Sequence, residues 1–371
     1  MNDLSSPTKV KEALHQSLEG LGKIESCALL DYPASPNIGD HLIWLGTIFY
    51  LNEVLKAKIK YAATCTDFSE DLMNQKNGQA PILLHGGGNL GDIWLLHQRF
   101  REQIISKYQD RKIFIMPQSI YFADKNNLKI AANIFNSHPQ LTIFARDNYS
   151  YQIAIDNFNN CQIIKAPDMF FQMINSPGLP IKTKRQSSIL YFCRQDKELN
   201  KSFSPDSLGI SNLVVEDWVS FNWMVKAPED WAIYIPGMVR LIREGWQRGL
   251  ATPGEWLSRQ KWDYLHPYSD KFNTMDRPEL HRRSWSMMHA GMHQMLQHRL
   301  VITNRLHGHI LCLLLKIPHV FLPNSYYKNE LFYQTWTQQI PFCRFVKESG
   351  EVKSAVEELL ELYPSGSTSV S

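Results

Sequence analysis

Arg305, His307 and His309 sit inside an otherwise apolar stretch, LVITNRLHGHILCLLL, that runs from Leu300 to Leu315. A guanidinium and two imidazoles are expensive to desolvate without partners, so something should meet them there. RLVIT reads as a strand, Thr303 or Asn304 as the natural N-cap, and a helix is expected from about Arg305 to Lys316. The first turn of such a helix carries a partial positive charge and unpaired N–H groups. Arg305 adds a planar fork suited to phosphate or carboxylate. An imidazole with an ordinary pKa of about 6.5 moves a proton at neutral pH. Anion binding and proton transfer are therefore offered within one turn. Strict helical spacing puts Arg305 and His309 on one face, and His307 joins them only if the first residues still belong to the turn. The spacing leaves both histidines open as the active one, and hydrogen bonds in a core would account for either.

Three further stretches carry polar residues where strands should end. LLHGGGNLGDIW (83–94) places three consecutive glycines after an apolar strand. A bare turn needs one glycine, so three, with Asn89 and Asp92 beside them, suggest close approach of a ligand to the backbone. The N–H groups of the helix expected to follow would favour an anion or sugar hydroxyls. The pattern is neither a dinucleotide fingerprint nor a P-loop. SPNIGDHLIW (35–44) turns a strand into a helix, and Asn37, Gly39 and Asp40 suit that turn whether or not they bind anything. YFCRQDKE (191–198) ends a strand on Arg194, a position where a solvated charge is also common. PQSIYF (117–122), ARDNYS (145–150) and APDMFF (166–171) occupy other strand exits. Taken together they imply one large cleft.

The elements that must position these residues alternate in type. Strand-like runs at Cys27–Tyr32, Pro81–His85, Lys112–Pro117 and Leu141–Arg146 are separated by helical patterns, and CQIIKAPD closes the series. Short strands alternating with helices predict a parallel sheet covered on both faces. NSPGLPIKTKRQSS (175–188) reads as a linker. A second α/β unit starts at ILYFCR and resumes at WSMMHAGMHQMLQ, HRLVIT, RLHGHILCLLLK and PHVFLP. The expected architecture is two doubly wound Rossmann-like domains facing a cleft, residues 1–180 and 188–350, with a helix and a disordered tail over 351–371. Open sheets of this kind bind ligands at the carboxyl ends of their strands.

Composition narrows the function classes. The chain has 371 residues, 44% hydrophobic and 20% charged, and its net charge of +3 is too balanced to argue for nucleic acid. The six cysteines form no CxxC pair, which predicts a reducing compartment without disulfides or structural zinc. The amino-terminal segment has no apolar core of a secretory signal, and the longest apolar run is broken by Lys316 and Pro318. A cytoplasmic location follows as the expectation.

NIGD (37–40), HGGGNLGD (85–92), PQS (117–119), ARD (145–147), PD (167–168), CRQDKE (193–198) and RLHGHI (305–310) occur in an order and spacing that resemble the polysaccharide pyruvyl transferase family, its bacterial exopolysaccharide branch in particular. The resemblance implies a fold similar to GT-B glycosyltransferases. It also implies transfer of the pyruvyl group of phosphoenolpyruvate onto two hydroxyls of a sugar, giving a ketal and phosphate. The family's Arg-Leu-His signature falls on Arg305, Leu306 and His307, so the resemblance selects His307 as catalytic together with Arg305. It maps the donor-holding arginines onto Arg194 and Arg305; Asn304 and His309 are expected beside them on the donor, and the acceptor is expected toward the first unit, at Asp40, Gly87, Gly88, Asn89 and Asp92. No cofactor beyond phosphoenolpyruvate as co-substrate and no metal is implied.

The tryptophan-rich stretch at about 198–283 departs from the short connection expected. It is read as a helical insertion packing on the second domain, with an interfacial surface meeting a lipid-linked acceptor at the inner membrane face as the competing reading. Because fold alone does not fix function, a GT-B glycosyltransferase using a nucleotide sugar remains the enzymatic rival.

Overall fold

Apolar runs of three to nine residues, alternating with helices, give two all-parallel sheets in the computed structural model, which describes residues 3–176, 179, 187–194, 202–211, 213–219, 253–266, 268, 270–324 and 327–364. The first unit runs α1 (Pro7–Leu18), β1 (Ser26–Leu30), α2 (Ile38–Phe49), β2 (Lys58–Ala63), α3 (Glu70–Asn77), β3 (Ile82–Leu84), β4 (Gly87–Gly91), α4 (Leu95–Lys107), β5 (Ile113–Tyr121), α5 (Lys125–Ser137), β6 (Leu141–Ala145), α6 (Asn148–Asn157) and β7 (Gln162–Lys165). The second runs β8 (Ile189–Phe192), β9 (Leu213–Glu216), α7 (Pro253–Leu265), α8 (Pro278–Leu296), β10 (Leu300–Thr303), α9 (Leu306–Leu315), β11 (His319–Phe321), α10 (Lys328–Phe332), β12 (Cys343–Phe345) and α11 (Val352–Leu362). This is the α/β, Rossmann-like class that the alternation of strands and helices predicts, and the GT-B-like fold that the resemblance implies.

Strand order fixes where a ligand can sit. The first sheet is ordered β2-β1-β3-β5-β6-β7, with β4 continuing the line of β3 beside the second half of β5. The order reverses between β1 and β3. The second sheet is ordered β12-β11-β10-β8-β9 and reverses between β8 and β10. Crevices open at such reversals, outside the carboxyl ends of the strands. Asp31 follows β1, Arg194 lies just beyond β8, and Arg305 just beyond β10.

The α2 helix explains how the two sheets hold together. Eleven of its twelve residues are buried, and a helix apolar on all sides belongs between layers rather than on a surface. One apolar cluster joins Leu42, Trp44 and Ile48 of α2 to Leu83 and Phe114 of the first sheet and to Ile310 and Leu311 of α9. The opposite faces have separate cores, one under α4 and α5, the other under α11.

Several expectations need correction. Gly87–Gly91 is a strand, paired with Gln118–Tyr121, because its backbone takes the place beside β5 where β3 stops. The glycines therefore do not open a helix: α4 starts only at Leu95, after a single tight turn. The cap of α9 is Arg305 itself, in an extended conformation, while Thr303 Oγ1 accepts its N–H at 3.0 Å. Of the tryptophan-rich stretch, 220–252 lies outside the described residues, and with it most of the segment considered for a membrane surface. The part that is described packs on both units: Phe203 and Leu208 enter the core of the second sheet, and the later residues bridge to the first unit. Trp262 stacks on Trp285 at 4.1 Å, Phe49 of α2 lies 5.9 Å from Trp285, and Asp276 accepts the Ala62 N–H of β2. Nearly all of the expected linker, 177–178 and 180–186, and the serine-rich tail, 365–371, also fall outside the described residues.

Candidate functional site

Both strand-order reversals face a single cavity of about 280 Å³, whose walls come from the two sheets. The second unit contributes Arg194, Trp218, Arg305 and His307; the first contributes Asp40, Gly88, Asn89, His97 and Arg146; Lys328 arrives from α10. Four cationic side chains thus converge on a concave surface, a geometry that concentrates positive potential. A second cavity of about 480 Å³ adjoins it, sharing Gly88 and Lys328 and extending along Ser119, Tyr149 and Tyr327.

Each cation is held by its surroundings. Arg305 forms a two-pronged ion pair with Asp217, its Nη2 lying 2.6 Å from Oδ2. The Arg194 N–H donates to Asn304 Oδ1 at 2.9 Å, which locks the ends of β8 and β10 together. Asn304 Nδ2 is buried with no hydrogen-bond partner among the described residues. Arg146 is fully buried: Nε donates to Ser119 Oγ at 2.9 Å and Nη1 to Asp168 Oδ2 at 2.5 Å. Its Nη2 has no hydrogen-bond partner among the described residues. A Cβ at Gly88 would come within 3.0 Å of Lys328 Nζ and 3.2 Å of Arg146 Nη2, so a larger residue there would crowd those two cations.

His307 completes the arrangement. Its Nε2 lies 3.4 Å from Asp168 Oδ2, the same oxygen that Arg146 holds. The Asp168 carboxyl is pushed up by burial, but His307, Arg146 and the Phe170 N–H outweigh this and hold it well below the usual carboxylate range. Burial pushes the His307 imidazole down, with Asp168 offsetting part of the effect. The resting pair is then a carboxylate and a neutral imidazole. An ionised Asp168 can only accept, so Nε2 carries the hydrogen and Nδ1 offers its lone pair. The Nδ1–Cγ edge of the imidazole lies against Gly39, where a Cβ would stand 2.4 Å from Nδ1.

Not every residue expected in the site is there. His309 is wholly buried on the far side of α9, its Nδ1 2.7 Å from His319 Nε2 and its Nε2 3.0 Å from Thr337 Oγ1, with Phe321 stacked on its ring. It is a core histidine and holds no donor. Asp92 accepts the N–H groups of Ala123 and Asp124, both at 2.8 Å, and so closes the β5–α5 turn and does not line the cavity. Gly87 faces Ile43 and does not line the cavity. Asn304 sits behind Arg194 and acts on the backbone. Asp40, Gly88, Asn89, Arg194, Arg305 and His307 are brought together. Arg146, Asp168, Asp217, His97 and Lys328 were not singled out from the sequence. The first two lie in ARD and PD, where an ordinary turn explained them equally well; the others have no local signal. Two groups of potential metal ligands occur among the described residues, His309 with His319 and Cys343, and Asp31 with Cys65 and His97; in the first His309 bonds His319, and in the second His97 bonds Asp31.

Comparison with known proteins decides the family. Residues 37–326 match the family model described as polysaccharide pyruvyl transferase. The chain belongs to that family. Among curated relatives of this pyruvyl transferase, EpsO of Bacillus subtilis (strain 168), whose name assigns it provisionally to the pyruvyl transferases, is 27% identical over 354 residues, covering 95% of this chain and 98% of its own. Pyruvyl transferase 1 of Schizosaccharomyces pombe (strain 972 / ATCC 24843) is 25% identical over 327 residues, covering 84% of this chain and 70% of its own. A crystal structure of a functionally uncharacterized protein from Klebsiella pneumoniae subsp. pneumoniae NTUH-K2044 superposes with a TM-score of 0.53 at 20% identity, over 94% of this chain and all of that one, a likeness of fold. No described helix is long and apolar enough to cross a membrane.

Proposed function

We propose that this pyruvyl transferase takes its pyruvyl group from phosphoenolpyruvate and attaches it as a ketal to two hydroxyls of a sugar in an exopolysaccharide or its lipid-linked precursor. One observation carries the reading: four cationic side chains and a carboxylate-backed imidazole meet at the strand-order reversals of both sheets. Phosphoenolpyruvate is a small trianion, and guanidinium groups suit its carboxylate and phosphate. Arg194, Arg305 and Lys328 hold those groups, and Arg146 Nη2 reaches past Gly88 toward them. The acceptor enters on the side of Asp40, Asn89 and the exposed indole of Trp94, and the adjoining cavity receives further sugars of the chain.

In the reaction, C2 of the donor gains two bonds to sugar oxygens and loses its bond to the phosphate oxygen. C3 gains one hydrogen and becomes a methyl group. Of the two hydroxyl protons, one ends on C3 and the other leaves with phosphate. His307, neutral at rest, accepts the first hydroxyl proton at Nδ1 and delivers it to C3, while Asp168 stabilises the transient imidazolium. General acid–base help of this kind contributes about 10²–10⁴-fold.

The test is incubation of the purified chain with phosphoenolpyruvate and methyl galacto-, gluco- and mannopyranosides, following phosphate release and product mass. A gain of the pyruvate ketal mass with stoichiometric phosphate is expected, together with a raised melting temperature in phosphoenolpyruvate. Stabilisation by a nucleotide sugar in place of phosphoenolpyruvate would instead identify a glycosyltransferase.

A further inference from the structure

Opposite His307, on the first-domain wall of the same cavity, stands a second imidazole backed by a buried carboxylate. His97 Nδ1 lies 2.7 Å from Asp31 Oδ1. The Asp31 side chain is fully buried, while that of His97 is 28% exposed and lines the cavity. Asp31 follows β1 at the strand-order reversal of the first sheet, as Arg305 follows β10 at the reversal of the second.

Three features set this pair apart from an ordinary structural ion pair. The charge of Asp31 is already balanced by Arg101, whose fully buried Nη2 lies 2.9 Å from Oδ2, so His97 is not needed to make its burial tolerable. Arg101 is itself fixed, donating to the carbonyls of His85 and Asn89 and to Asn89 Oδ1, which ties the carboxylate to the glycine strand. Asp31 also has φ of 68°, a left-handed conformation that a residue with a side chain adopts only where its surroundings impose it. The carboxylate is thereby aimed at the imidazole. With Nδ1–H donated to Asp31, Nε2 of His97 is left as an acceptor on a side chain that lines the cavity.

The proposed reaction has work for a second base. Two hydroxyls must lose their protons, and His307 returns the one it takes to C3. From the two dyads we infer that His97 is the base for the second hydroxyl, so that the cavity carries one proton-transfer imidazole on each sheet. This assignment rests on the pyruvyl-transfer reading. In the second half of the reaction the phosphate has departed with the electron pair of its bond to C2. The second hydroxyl oxygen then bonds to C2, its O–H bond breaks, and the proton passes to His97 Nε2. From there it leaves with phosphate or to solvent, and His97 is restored. Asp31 is a positioning residue: it holds the ring by Nδ1 and stabilises the imidazolium.

The experiment compares wild type, H97Q and H97A with phosphoenolpyruvate and the methyl glycoside that wild type turns over best. H97Q should lower kcat by about 10²-fold or more, within the range for a lost general base. Its affinity for phosphoenolpyruvate, read by thermal shift, should stay within threefold, because His97 does not hold the donor. Added imidazole should restore part of kcat to H97A, since the site opens to solvent, and a purely structural role would not respond. H97Q with kcat within threefold of wild type, or H97A without rescue, overturns the base assignment alone. Wild-type protein that neither releases phosphate with any of the three glycosides nor gains stability from phosphoenolpyruvate overturns pyruvyl transfer itself, and the base with it.

Discussion

Replacing Gly39 with alanine separates catalytic geometry from stability more cleanly than any change to a charged residue. Gly39 lies in the first turn of α2 with an ordinary helical backbone, so the added methyl group meets no backbone penalty there. By helix propensity alone the change favours the folded state by about 1 kcal/mol. The new Cβ would, however, stand 2.4 Å from His307 Nδ1, 2.8 Å from Cγ and 2.9 Å from its Cβ. Ordinary contact between such atoms is about 3.5–4.0 Å, so the imidazole must retreat by roughly 1 Å. Rotation about χ1 cannot relieve the contact with the His307 Cβ itself, and the start of α9 must shift with the ring. Overpacking of this kind costs about 1–3 kcal/mol, leaving the variant about 0–2 kcal/mol less stable in sum. A 1 Å displacement of a catalytic group costs about 10²-fold in rate. G39A should therefore fold, melt within a few degrees of wild type, and lose about 10²-fold or more in kcat for phosphate release with a working acceptor. If G39A is folded and turns over within threefold of wild type, the placement of His307 at the reacting centre is wrong.

Two further outcomes follow from the burial of the other histidines. His309→Gln removes hydrogen bonds to His319 and Thr337 and the stack on Phe321, so it should destabilise the fold by about 1–3 kcal/mol while leaving the thermal shift with phosphoenolpyruvate intact. Loss of donor binding by a folded H309Q would return His309 to the site. His41, His281 and His319 are each held neutral by burial, which pushes their pKa down to about 4. Below about pH 6.5 the unfolded chain binds protons at these imidazoles that the folded one refuses. Stability should be fully present above that pH and fall as the pH drops toward 4, each imidazole contributing up to about 1.4 kcal/mol per unit. Urea midpoints unchanged between pH 7 and 4.5 would contradict their neutral burial.

Much of the site was legible because strand exits carry their own chemistry. Arg194 and Arg305 end apolar runs at a point where parallel sheets open toward a ligand, and both line the cavity. Gly88 was readable as a place where a ligand comes close to the backbone, although the cations beside it, Lys328 and Arg146, were not. The Gly87–Gly91 strand was illegible for the reason that makes it useful: glycine has the lowest strand preference, and this segment is extended only because β5 outruns β3 and offers it a ladder. Asp92 and His309 misled because a polar residue beside a motif looks the same whether it binds a ligand or closes a turn. Their hydrogen-bond partners, Ala123 and Asp124 in one case and His319 and Thr337 in the other, lie about 10–35 residues away along the chain.

By itself the sequence determined the alternation of strand and helix, and hence two covered parallel sheets, since period and apolar run length are local properties of a chain. It also determined which residue types stand at the strand ends. Tertiary structure alone decided which of those residues meet: Asp168 with His307 across 139 positions, Arg305 with Asp217 across 88, and Asp31 with His97 across 66. A carboxylate orients an imidazole only within hydrogen-bond reach, and for Asp168 and His307, which belong to different units, that distance is set by how α2 packs between the two sheets.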